Sequence, residues 1–152
     1  MRAALGLGSN LGDREAHLRG AIDRLRKFLR VLAVSSFRET EPVGGPPQPA
    51  YLNGAVLVEF SGSPRALLLE TQRLEREAGR TRRPPDSPRP LDLDLLLLEG
   101  ATVDEPGLIV PHPRLKERRF ALEPLAEIAG DWPVPGTGSS VKELLAHLLL
   151  PR

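Results

Sequence analysis

The chain has 152 residues, a formal net charge of +1 and no cysteine. That length suits one domain over 1–152 with a core that needs no disulfides; the missing cysteines exclude thiolate zinc sites and thiol nucleophiles, and the charge excludes a globally basic nucleic-acid binder. No apolar run approaches the roughly 20 residues of a membrane span and no signal-peptide pattern opens the chain, so a cytoplasmic protein without a membrane partner is expected.

Residues 2–9 (RAALGLGS) read as a short buried strand ending in small residues. Asp13 is placed to cap a helix whose apolar positions Leu18, Ala21, Ile22, Leu25, Phe28 and Leu29 follow the helical period. A second strand is expected at 31–38. Glu41 to Pro49 holds four prolines and two glycines, which forbids regular structure. A third strand follows at about 52–60. Ser63-Pro64, a cap followed by proline at the first helical position, opens a helix running to about Ala78.

Arg80 to Pro90 (RTRRPPDSPRP) then packs four arginines and four prolines into eleven residues. An Asp-Leu-Asp strand comes next, with a turn at Glu99-Gly100 and a short strand near 101–104. Ser140 with Glu143 forms a capping box for a last helix, with Val141, Leu144, Leu145 and Leu148 on one face. The order β-α-β-β-α-β predicts a mixed sheet with helices packed on one side, an α+β sandwich.

GLGSNLG at 6–12 invites comparison with phosphate-binding loops, but Leu11 breaks the dinucleotide fingerprint and Asp13 follows Gly12 where a P-loop needs lysine. A tight turn with close backbone packing explains the glycines equally well. RPLDLDLLLL at 89–98 says more. Strand geometry puts Asp92 and Asp94 on one face and Leu91, Leu93 and Leu95 on the other. Two carboxylates about 6–7 Å apart repel unless something compensates. Magnesium shared with substrate phosphates would do so, and so would an ion-pair network with neighbouring arginines.

Arg80, Arg82, Arg83 and Arg89 immediately precede those carboxylates. Guanidinium forks suit phosphate oxygens, so the basic loop and acidic strand together fit a nucleotide–magnesium complex; a solvated basic turn is the bland alternative. Tyr51 and Asn53 share a strand face, a ring and an amide that suit a flat heterocycle with an amide-like edge, or simply the margin of a core. His112, between prolines and near Arg114, Lys116, Arg118 and Arg119, is the histidine best placed for a phosphate. His17 and His147 read as surface residues.

Taken together, GSNLGD (8–13), the proline-rich loop leading to YLN (51–53), RPLDLD (89–94) and VPH (110–112) resemble the hydroxymethyldihydropterin pyrophosphokinases of folate biosynthesis. The motifs stand in that family's order from Gly8 to about Pro124. The resemblance implies a ferredoxin-like α+β fold with long functional loops, transfer of pyrophosphate from ATP to 6-hydroxymethyl-7,8-dihydropterin with release of AMP, and two magnesium ions held by Asp92 and Asp94. It implies a pterin pocket of Thr40, Val43, Tyr51, Asn53 and Phe120. It implies nucleotide contacts from Glu75, Arg82, Arg89, Leu95, His112 and Arg118, with Gln72 also near the site. Arg82, Arg89, Asp92 and Asp94 are the residues it implies in catalysis. The partners expected are ATP and the pterin, in a monomer without nucleic acid. Two rival readings are an RNA-binding module built on the basic loop, which the acidic strand and the scarcity of aromatics oppose, and a different magnesium-nucleotide transferase on a similar scaffold.

Overall fold

The structure is a computed structural model that describes residues 1–41, 47–79 and 88–150. Its frame is a sheet of β1 (Arg2–Ser9), β2 (Arg30–Val34), β3 (Arg38–Thr40), β4 (Tyr51–Glu59) and β5 (Asp92–Leu98). The path is β2-β4-β1-β5, with β3 also pairing β4, and every pairing is antiparallel. The sheet is therefore antiparallel rather than mixed. Helices α1 (Arg14–Leu25) and α2 (Pro64–Glu77) cross one face, and with the strand order they make the expected ferredoxin-like core.

The helix starts follow the caps legible in the sequence. The Asp13 carboxylate accepts the Ala16 N–H at 3.1 Å and the Ser63 hydroxyl accepts that of Ala66 at 3.1 Å. Each such cap is worth about 1 kcal/mol. Leu18, Leu25, Leu67 and Leu74 lock these helices onto Leu5, Leu7, Val56, Val58, Leu93 and Leu95 of the sheet. Full burial stabilises each large aliphatic side chain by about 1.5–3 kcal/mol.

One-sided packing, however, holds only for this first pair. The opposite face is covered by α3 (Arg119–Ala129) and α4 (Val141–Leu149). Leu122, Leu125, Val141 and Leu144 form a second core there with Ala4, Ala55, Leu57, Leu96 and Leu97. The molecule thus has a helical layer on each side. Two small hairpins complete it: β6 (Val103–Glu105) with β7 (Leu108–Val110), and β8 (Pro133–Val134) with β9 (Ser139–Ser140). The expected 31–38 strand is two strands. At the break, Ser35 donates its N–H to Ala55 O and accepts the Ala55 N–H on its hydroxyl, at 2.9 and 2.8 Å. A side chain there takes the place of a backbone partner.

β5 carries the feature that matters most for the site. Leu5 faces Leu95 but Ala4 faces Leu97, so Leu96 is an extra, bulged residue. Before the bulge, Leu93 and Leu95 point into the first core while Asp92 and Asp94 point to the other face.

Candidate functional site

Where α3 stops covering its face of the sheet, a cleft of about 720 Å³ opens. Its floor is β1. Gly8 stands in register with Asn53 on one side and Asp92 on the other, and Gly6 stands between Ala55 and Asp94. A Cβ on Gly8 would come within 2.9 Å of Asn53 Oδ1 and one on Gly6 within 3.1 Å of Leu96 Cδ1. Gly6 and Gly8 thus leave a strip of β1 bare between two sets of side chains, while Gly12 lies beyond the strand at φ 70°. These glycines are not a phosphate loop.

On one bank lie Tyr51, Asn53 and Thr40, all lining the cleft. Asn53 is buried, and its Nδ2 donates to Thr40 Oγ1, which fixes the orientation of the amide. β3 and β4 bring these residues together in register, Thr40 opposite Tyr51. Phe120, near the start of α3, lines the cleft too, with the Arg118 guanidinium 5.5 Å from its ring centroid. At that range a cation is attracted to the ring face.

On the other bank lie Asp92 and Asp94, sharing a face as the two-residue alternation dictates and both lining the cleft. Arg89 approaches Asp92, Nη1 to Oδ1 3.7 Å, so the arginine alternative for compensating this pair is realised in part. Among the described residues no third histidine or acid joins them in a metal-binding group. Two hard oxygen donors beside an open cleft fit magnesium that completes its shell with phosphate oxygens and water.

His112 stands beside this bank. Burial lowers its imidazole below the ordinary histidine value; the Asp94 carboxylate pulls it up, and Arg118 and Arg114 add to the lowering. Its Nδ1 accepts the Arg114 N–H at 3.2 Å, which puts the proton of the neutral ring on Nε2. Arg114, Arg118 and Arg119 line the cleft together with Glu117 and Glu123, and Arg114 and Arg119 pair with those two acids.

Some expected site residues are placed elsewhere. Leu95 turns its side chain into the first core and is 6% exposed, so its side chain does not line the cleft; the leucines that do are Leu7 and Leu96. Glu75 is buried in α2 with its carboxylate accepting the Leu93 N–H at 3.0 Å. It braces the aspartate strand from the opposite side of the cleft. Gln72 is exposed on α2. Val43, Arg80, Arg82 and Arg83, with most of the basic loop, lie outside the described residues.

Asn10 was not singled out by sequence reasoning, yet it fastens the site. It is 1% exposed. Its Nδ2 donates to Gln48 Oε1 at 2.7 Å and to Pro49 O at 3.2 Å, while its Oδ1 accepts the Arg89 N–H at 2.7 Å. Its backbone N–H donates to Arg89 O at 3.0 Å. One amide thus holds the segment entering Tyr51 and the segment entering Asp92. Its place one residue beyond a buried strand was the available signal, since asparagine there commonly bonds loop backbone.

The family model for 7,8-dihydro-6-hydroxymethylpterin-pyrophosphokinase matches residues 4–130. A 2-amino-4-hydroxy-6-hydroxymethyldihydropteridine pyrophosphokinase of Bacillus subtilis is 48% identical over 128 residues, 83% of this chain and 77% of that protein. One of Methylorubrum extorquens is 42% identical over 149 residues, 97% and 93% of the two chains. In fold, the chain resembles an HPPK-DHPS crystal structure in complex with substrates, with a TM-score of 0.78 at 14% identity, covering 96% of this chain and 43% of the other.

Proposed function

From the premise that the chain belongs to the 7,8-dihydro-6-hydroxymethylpterin-pyrophosphokinase family, enzymes that transfer pyrophosphate to hydroxymethyldihydropterin in folate synthesis, we propose a division of labour across the bare strip of β1. The Tyr51 bank takes the pterin and the Asp92 bank takes ATP with magnesium. The observation that carries this reading is the register of Gly8, one strand from Asn53 and one strand from Asp92. Two strand spacings separate the banks by about 10 Å, so a flat bicycle on one side presents its hydroxymethyl oxygen to a phosphate on the other.

In this reading the pterin lies between the rings of Tyr51 and Phe120, where aromatic stacking adds about 0.5–1.5 kcal/mol beyond burial. Asn53, oriented by Thr40, offers its second amide hydrogen and its oxygen to the amide-like edge of the heterocycle, and the Val43 backbone completes the pocket. Arg82, Arg89 and Arg118 fork onto phosphate oxygens, and His112 donates from Nε2. Asp92 and Asp94 would hold two magnesium ions, which supply neutralisation of the charge that builds on the phosphate oxygens during in-line transfer. The protein's own part is alignment of two substrates, which converts a bimolecular step into an effectively unimolecular one.

The test is AMP release from ATP with and without the pterin. Pterin-dependent AMP that vanishes in Asp92→Asn and Asp94→Asn is the expected result. ADP as product, AMP formation without pterin, or full activity in both variants would overturn the reading.

A further inference from the structure

α3 and β3 are tied together by a closed set of charges, of which Arg38, Arg119 and Glu123 also line the cleft. Arg38 Nη1 donates to Glu123 Oε2 at 2.8 Å, while its Nε and Nη2 reach Glu127 Oε2 at 3.2 and 2.9 Å. Glu127 also accepts the Ser36 N–H on Oε1 at 3.0 Å and the Ser36 hydroxyl on Oε2 at 2.8 Å. The remaining Glu123 oxygen, Oε1, is taken by Arg119 Nε. All four carboxylate oxygens are therefore engaged, and the contacts bridge 85 to 91 positions of sequence.

Both acids stay ionised at neutral pH. Glu123 is held below the ordinary carboxylate range, chiefly by Arg119. Burial pushes Glu127 upward, but the Ser36 N–H, the Ser36 hydroxyl and Arg38 together outweigh it.

What this set joins is specific. β3 is three residues long and, among the described residues, pairs with Tyr51–Asn53 of β4. Arg38 and Thr40 lie two residues apart and share its cleft-facing side. Phe120 sits one turn before Glu123 on α3. The distance between the Thr40–Asn53 pair and the Phe120 ring is the width of the slot assigned above to the pterin. Apolar packing of Leu122 and Leu125 on Ala4, Ala55 and Leu57 seats α3 on the sheet, and the charge set adds a second tie at the edge of the slot.

We propose that the Arg38–Glu123–Glu127 clamp is a positioning device that sets the aperture of the heterocycle slot, and so governs pterin affinity while leaving the nucleotide bank alone. This rests on the slot reading of Tyr51, Asn53 and Phe120. Arg38 acts through Phe120 and Thr40 rather than by touching the reacting groups. Its half-exposed guanidinium, with a side chain 44% accessible, makes a folding role small, since exposed pairs contribute little to stability.

The experiment measures two dissociation constants separately: the pterin by its own fluorescence without nucleotide, and a non-hydrolysable ATP analogue with magnesium. Arg38→Met, which keeps the aliphatic stem, is expected to weaken pterin binding about tenfold with nucleotide affinity within about twofold. Arg38→Lys, able to engage one carboxylate at a time, is expected to fall in between. Asn53→Ala tests the slot itself. If Asn53→Ala loses the pterin while Arg38→Met keeps it within twofold, the clamp inference fails and the slot stands. If neither variant loses the pterin, the slot reading fails beneath it. Equal losses for pterin and nucleotide in Arg38→Met would also overturn the proposal, because a general loosening would explain them. Should Arg38→Met not fold, Glu123→Gln breaks one arm of the clamp at constant shape and is expected to weaken the pterin about threefold; no change there counts against the clamp.

Discussion

Gly8→Ala adds a single methyl at the centre of the site. Its Cβ would stand 2.9 Å from Asn53 Oδ1 and 3.5 Å from Tyr51 Cδ1, where ordinary contact begins at 3.4 Å. Asn53 must then retreat by about 0.5 Å, an overpacking of the kind that costs about 1–3 kcal/mol. It has little room to do so, being 8% exposed and bonded to Thr40. Taking the roughly 2 kcal/mol middle of that range as lost from the bound state, pterin affinity falls about 30-fold. Gly20→Ala is the matched control: it lies within α1 with nothing within 4 Å of the added Cβ. It is expected to stabilise the fold by about 0.5–1 kcal/mol and to leave pterin binding unchanged. Fluorescence titration with the pterin, alongside thermal unfolding, reads both variants. A folded Gly8→Ala protein that binds pterin within twofold of the original would refute the close-approach argument.

Asn10→Ala removes three part-buried side-chain hydrogen bonds and is expected to cost about 2–3 kcal/mol in urea unfolding. It is also expected to raise KM for both substrates, because the same amide fastens the approaches to both banks; a rise for one alone would show that the two segments are held independently. Asp94→Asn, studied with chelator and no nucleotide, is expected to move the His112 titration lower still, since the Asp94 carboxylate is the group that raises it. An NMR titration of the imidazole that stays put or moves upward would contradict this. Ser140→Ala opens the capping box of α4 and is expected to destabilise the chain by about 1 kcal/mol without changing either KM, as read by unfolding and steady-state kinetics.

The parts of the molecule that were legible in sequence are those where a local rule suffices. β1, the three caps and the shared face of Asp92 and Asp94 each follow from a period or a side chain's preferred bond. The alternation also places the Leu95 side chain in the first core, where the structure has it. The bulge at Leu96, which brings that leucine to the cleft, depends on how β5 registers with β1 and leaves no local mark. α3 was missed because Pro124, the sixth of its eleven residues, stands inside the helix, where proline removes a backbone hydrogen bond and ordinarily signals a break. Asn10 and Arg38 do their work through partners 38 to 89 positions away, so their roles exist only once the layers have met.

The outer margin of β5 has a consequence beyond the chemistry. A terminal strand with a run of leucines, DLDLLLL, is the kind of segment that recruits a neighbouring chain into a growing sheet. Here the Glu75 carboxylate occupies the Leu93 N–H and the His112 N–H occupies Leu96 O at 2.9 Å. Two of the backbone groups on that edge are therefore already taken, by an acid from one helix and a backbone amide from the loop after β7, which leaves fewer of them to template a neighbouring strand.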